Sequence, residues 1–181
     1  MRLAILSDLH LTVAGMPVPQ VACDVVILAG DVARPQQAMA WAKQFTVPVI
    51  YVPGNHEYYG GSLSGTLSTL RELARGSQVH VLERDELRLG GVRFLGCTLW
   101  TDFRLQATEA ERAASMAMAS QLIRDFSRVR LDDDGAALFT PELSRQVFDE
   151  SVAWLDKKFA EPFDGTTVVV SHHAPSTGSI N

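Results

Sequence analysis

The sequence predicts an α/β protein whose mixed β-sheet layers are flanked by helices. Three observations point there: short aliphatic runs that stop at polar or Gly/Pro residues, helix-patterned segments between them, and a Gly-Gly turn joining two strand-like runs. Leu3 to Leu6, Val25 to Leu28 and Val47 to Val52 are the first such runs, and they read as strands buried on both faces. Gln36 to Phe45 reads as a crossover helix between the second and third. Strands alternating with helices imply right-handed βαβ units and a largely parallel sheet. Ser62 to Arg75 is the next helix, with Leu63, Leu67 and Leu70 at helical spacing and Gly76 at its end. Glu86 to Leu89 and Val92 to Leu95 flank Gly90-Gly91, a two-residue hairpin signal because both turn positions tolerate positive φ. Here the sheet becomes mixed. Thr108 to Phe126 reads as one helix whose Met116, Met118, Leu122 and Ile123 form an apolar face. Asp132-Asp133-Asp134-Gly135 lacks the alternating ligands of a calcium loop and reads as a solvated turn. A last helix begins with Thr140 as cap and Pro141 at its first position, with Phe148, Val152, Leu155 and Phe159 along one stripe. Asp164-Gly165 then turns the chain into a strand from Thr166 to Val170.

Composition narrows the function classes. A length of 181 residues without repeat, low-complexity tract or linker suits one domain spanning 1–181. A hydrophobic fraction of 46% with 20% charged residues is that of a packed globular chain. The formal net charge of -5 makes a broad grip on nucleic acid unlikely, since such a grip uses Lys and Arg to displace counterions. Two cysteines far apart, Cys23 and Cys97, read as reduced, packed thiols, and with no signal-peptide core or membrane span they point to a cytoplasmic protein.

Four of the inferred strands end in polar residues of one kind: Asp8-Leu9-His10, Gly30-Asp31, Gly54-Asn55-His56-Glu57 and Ser171-His172-His173. Each alone is a turn or a cap. At successive ends of parallel strands they line one edge of the sheet, where open α/β sheets bind ligands. Two carboxylates, an amide and several imidazoles form a mixed O/N donor set, which suits Mn, Fe, Co or Zn better than Ca²⁺ or Mg²⁺. Four of the five histidines lie in these segments; His80 is the outlier and reads as structural or exposed.

The succession DLH, GD, GNHE and SHH, from Asp8 to His173, resembles the calcineurin-like metallophosphoesterase family. The resemblance implies that family's sandwich fold and a dinuclear metal-dependent phosphoesterase, cleaving small phosphate mono- or diesters by attack of a dimetal-bound hydroxide. It implies two divalent metal ions, with Asp8 and His10 on one, Asp31 bridging both, and Asn55 with His172 on the second. It makes His56 the group that protonates the leaving oxygen, with Asn55 stabilising the charged phosphorus centre, so that Asp31, Asn55 and His56 are the catalytic residues. Between the adjacent imidazoles, His172 is the ligand by resemblance alone, and His173 is left as a substrate contact. Tyr58, Tyr59 and Trp100 either line a substrate lip or pack as aromatics around the strand ends; Tyr58 is retained as a substrate contact. Glu57 either orients its neighbours or caps a turn, and Arg34 reads as an exposed cation at a helix start. Family members end in a Gly-His-x-His segment, which this sequence lacks after His173. The expectation is therefore a C-terminally incomplete domain. The rival reading is a metal-binding or inactive interaction module with the same fold.

Overall fold

A computed structural model describes residues 1–179 of the chain. Parallel strands β1 (Leu3–Leu6), β2 (Val25–Ala29), β3 (Val49–Val52) and β4 (Val79–Val81) form one sheet in that order. Helices α1 (Pro35–Ala42) and α2 (Leu63–Ala74) make the crossovers into β3 and β4. The second sheet has the order β5 (Asp85–Leu89), β6 (Val92–Cys97), β7 (Thr166–Ser171), with β5 and β6 antiparallel and β6 and β7 parallel. Gly90 and Gly91 sit at φ 56 and 78, the left-handed region that the hairpin between β5 and β6 demands.

Side-chain alternation explains the layering. One face of the first sheet sends Val26, Leu28, Val49 and Tyr51 against Met39, Trp41 and Leu70 of α1 and α2. Its other face sends Val25, Ile27, Ile50 and Val52 against Leu82, Phe94 and Val170 on the second-sheet side. The two central strands are therefore apolar on both faces, and all of β3 is buried. The edge strand β1 departs from that expectation: Ile5 is exposed, and among the described residues no layer covers its side there. On the second sheet, Arg93 donates to the carbonyls of Lys158 and Glu161 and so ties β6 to the end of α5 (Pro141–Ala160). Thr140 caps α5 by accepting from the Leu143 amide, with Pro141 at the first position.

The helix expected from Thr108 to Phe126 is interrupted. α3 runs Glu109–Leu122 behind a Thr108 capping box, and a four-residue turn, α4 (Asp125–Arg128), follows. Ile123 is extended (φ -88, ψ 121), which turns Asp125 and Phe126 inward. Phe126 joins Tyr58, Trp100, Val129 and Phe139 in an aromatic cluster, and this tertiary demand overrides local helix propensity. Asp133, read as solvated, accepts from the Ser62 hydroxyl at the start of α2. Neither cysteine is in a disulfide; Cys97 is buried, which pushes its thiol up to about 12. Among the described residues no helix is long and apolar enough to cross a membrane.

Candidate metal centre

The segments after β1, β2 and β3 converge. Beyond β1 and β2 the two chains stay paired, with the amides of Asp8, His10 and Leu11 donating to the carbonyls of Gly30, Asp31 and Val32. Asp8, His10 and Asp31 all occupy the left-handed region, at φ 55, 44 and 56. Such conformations cost on the order of 1–3 kcal/mol each and persist where surrounding bonds enforce them. Here they turn the side chains of Asp8 and His10 towards that of Asp31.

Asp31 is the hub. Its carboxylate lies 3.7 Å from His10 Nε2, 3.8 Å from His56 Nε2 and 3.5 Å from His172 Nε2. Its Oδ1 also accepts from the His56 amide at 2.9 Å. Two donor groups meet there: Asp8, Asp31 and His172, and His10, Asp31 and His56, each with one ligand atom per residue within 4.8 Å of the others. This grouping puts Asp8 with His172 rather than with His10.

Hydrogen-bond logic orients two of the candidate ligands. His172 Nδ1 is 2.9 Å from the Ala29 carbonyl, which can only accept, so Nδ1 carries the hydrogen and Nε2 presents a lone pair. Asn55 Nδ2 donates to the Asp125 carboxylate at 2.7 Å, so the amide oxygen is the atom that faces inward. That oxygen lies 3.1 Å from His172 Nε2. In the neutral imidazole that a metal ligand requires, His172 Nε2 offers its lone pair beside the Asn55 oxygen at 3.1 Å and Asp31 Oδ1 at 3.5 Å, three lone-pair atoms in one place. Gly30 and Gly54 make the close packing possible: a Cβ on Gly30 would overlap Nδ1 of the His172 ring, and one on Gly54 would stand 2.9 Å from the ring's Cε1.

Beneath the hub, Glu57 is buried and accepts from the amides of Asp31, Val32 and Gly54 and from the Tyr51 hydroxyl, at 2.7–3.0 Å. It is both turn cap and orienting group. Burial pushes its carboxyl up, against the pull of the Tyr51 hydroxyl. Arg34 is half-buried rather than exposed; as N-cap of α1 it donates to the carbonyls of His56 and Tyr59. The His56 ring stacks on Tyr59 (4.4 Å) and meets His10 edge-on (4.8 Å).

Of the two substrate contacts expected from the sequence, Tyr58 is buried. Tyr58 is 2% exposed, packed on Trp100 and 3.5 Å from the Thr98 hydroxyl, so it is a core residue and not a substrate contact. Tyr59 takes the open position instead. His173 belongs to neither donor group; its Nδ1 faces the Thr98 carbonyl at 3.3 Å and its ring stacks on Trp100. Burial first, and then the neighbouring His172, hold its imidazole below the usual histidine range. It lines a neighbouring cavity of about 360 Å³ with Trp100 and Arg104. His80 sits in β4 opposite Ile50.

Sequence reasoning missed Asp125, whose buried carboxylate accepts from both Asn55 and the Tyr59 hydroxyl (2.6 Å). A carboxylate beside Ile123 and Phe126 on an apolar stretch was the available signal. It also missed Arg124 and Arg128, which line a cavity of about 230 Å³ together with His10, Asp31, His56 and Tyr59.

Comparison with known proteins agrees with the fold. Residues 1–122 match the calcineurin-like phosphoesterase superfamily domain; these include Asp8, His10, Asp31, Asn55 and His56, whereas His172 lies outside. The crystal structure of phosphopantetheinyl hydrolase from Mycobacterium tuberculosis has a similar fold, with a TM-score of 0.66 over 96% of this chain and 68% of that one, at 22% identity. No curated protein sequence matches the chain significantly.

Proposed function

The chain belongs to the calcineurin-like phosphoesterase superfamily, and on that premise we propose that it hydrolyses small phosphate mono- or diesters with two divalent cations, Mn, Fe, Co or Zn, gathered around Asp31. The observation that carries this reading is the convergence of lone pairs at Asn55 Oδ1, His172 Nε2 and Asp31 Oδ1. Facing acceptors cost free energy until a positive charge enters between them.

Asp8, His10, Asp31, Asn55 and His172 would hold the cations, with Asp31 shared. Cations bound there supply Lewis-acid charge to the phosphoryl oxygens and acidify a water for attack on phosphorus. The rest of the work falls to the chain. Glu57 fixes the backbone of Asp31, and the Ala29 carbonyl holds the His172 tautomer. His56, with 44% of its side chain exposed, faces the cavity and would pass its proton to the leaving oxygen. Stacking on Tyr59 and the Arg34 bond to its carbonyl keep that ring in place.

Turnover of 4-nitrophenyl esters with added Mn²⁺ tests the reading. Asp31→Ala is expected to lose metal and activity together, whereas His56→Ala keeps its metal and loses roughly 10²–10⁴ in kcat, the usual worth of a positioned general acid. Equal metal loss in both variants would move His56 into the ligand set. Absence of any turnover in the Mn²⁺-loaded protein would sink the proposal.

A further inference from the structure

We propose that Arg124 and Arg128 form an anion subsite beside the metal centre, so that the preferred substrate carries a second phosphate besides the one cleaved; this rests on the hydrolytic reading above. Three arginines and two histidines line the 230 Å³ cavity, against Asp31 as its one carboxylate. That local surplus of positive charge stands out in a chain of net charge -5. Arg34 is already engaged, since its guanidinium holds the carbonyls of His56 and Tyr59.

Arg124 and Arg128 are different. Both are exposed, and among the described residues neither side chain has an ion-pair or hydrogen-bond partner, whereas six other arginines are ion-paired. The one acid between them offers no neutralisation, because Asp125 is buried and its carboxylate is committed to Asn55 and Tyr59. The same commitment fixes α4 in place, so both guanidiniums are delivered to the cavity by a segment anchored at the metal centre itself.

The scissile phosphate does not use this charge. Divalent cations set against Asp8 and Asp31 leave a surplus that the scissile group itself consumes. The free guanidiniums then match a further phosphate, whose oxygens accept the paired N–H donors of an arginine fork. Charge-assisted pairs of that kind discriminate by tenfold or more when partly desolvated.

The Mn²⁺-loaded chain decides the matter with thymidine 5′-(4-nitrophenyl phosphate) and its 3′-phosphorylated analogue, which share the chromophore and the scissile bond. We expect kcat/KM to favour the analogue at least tenfold, and the ratio to fall towards one in Arg124→Gln/Arg128→Gln. A wild-type ratio near one, or a ratio unchanged in the double variant, overturns the subsite. If neither ester is cleaved, the hydrolytic reading is what has failed for this class, and equilibrium binding of thymidine 3′,5′-bisphosphate against thymidine 5′-phosphate then decides. A preference for the bisphosphate that disappears in the double variant upholds the subsite; equal affinities overturn it.

Discussion

Asn55 has a choice of two amide orientations, and a single neighbour makes it. Asp125 takes the Nδ2 hydrogens and leaves the oxygen facing His172. Without that carboxylate the amide can flip and donate to His172 Nε2, which would quench two metal donors with one hydrogen bond. Asp125→Ala is therefore expected to weaken Mn²⁺ binding by roughly 10–100-fold, the usual effect of losing a partner that orients a ligand. Titration calorimetry measures it, and an affinity within twofold of wild type would show that Asn55 does not need the partner. This residue was not legible in the sequence, because its role depends on where a helix breaks. Asp8, His10, Asp31 and Asn55 were legible for the opposite reason: each follows a strand of the first sheet, and parallel strands carry their ends to one edge whatever the loops do. His172 follows β7 of the second sheet, and only the family resemblance separated it from His173. Glu57 lay between the two cases. Its place next to His56 was plain, but only the fold brings the amides of Asp31 and Val32 onto its oxygens.

Strands and helices were read largely from periodicity, and their limits were corrected by caps. Ser62, the expected first residue of a helix, is instead its N-cap, accepting from the Gly65 amide and donating to Asp133. It is wholly buried, so the hydroxyl serves the start of α2 and the 132–135 turn at once. Ser62→Ala should cost about 1–2 kcal/mol, the sum of a lost cap and a lost polar tie. A urea denaturation midpoint that does not move would remove Ser62 from the list of determinants. The other correction, α3 ending at Leu122, could not come from propensity. Residues 108 to 126 read as a continuous helix until Phe126 is needed in the aromatic cluster and Asp125 under Asn55. The hairpin at Gly90-Gly91 was readable because its turn chemistry is local.

Across the whole molecule, metal binding at this site would be linked to folding, since the candidate donors come from segments far apart in sequence and meet only in the folded state. Mn²⁺ at a hundredfold excess over its Kd should add about 2.7 kcal/mol. For a chain of this size that corresponds to a Tm rise of roughly 5–10 °C. The rise should be absent in Asp31→Ala. It should also shrink as the pH is lowered, because protons compete with the metal for its ligand atoms. Calorimetric scans with Mn²⁺ and with a chelator check both points, and equal Tm values under the two conditions would break the linkage.

The two sides of the cavity differ in mechanical character. Asp31 and Asn55 follow β2 and β3, the strands buried on both faces, the kind of element that opens last in a fold. The side chains of Arg124 and Arg128 are exposed on either side of the buried Asp125 and Phe126, so their substitution disturbs little packing. Chemistry and substrate choice are thus written in separate parts of the chain. Descendants of this sequence can exchange one arginine for another side chain and acquire a new substrate while the reaction itself is inherited unchanged.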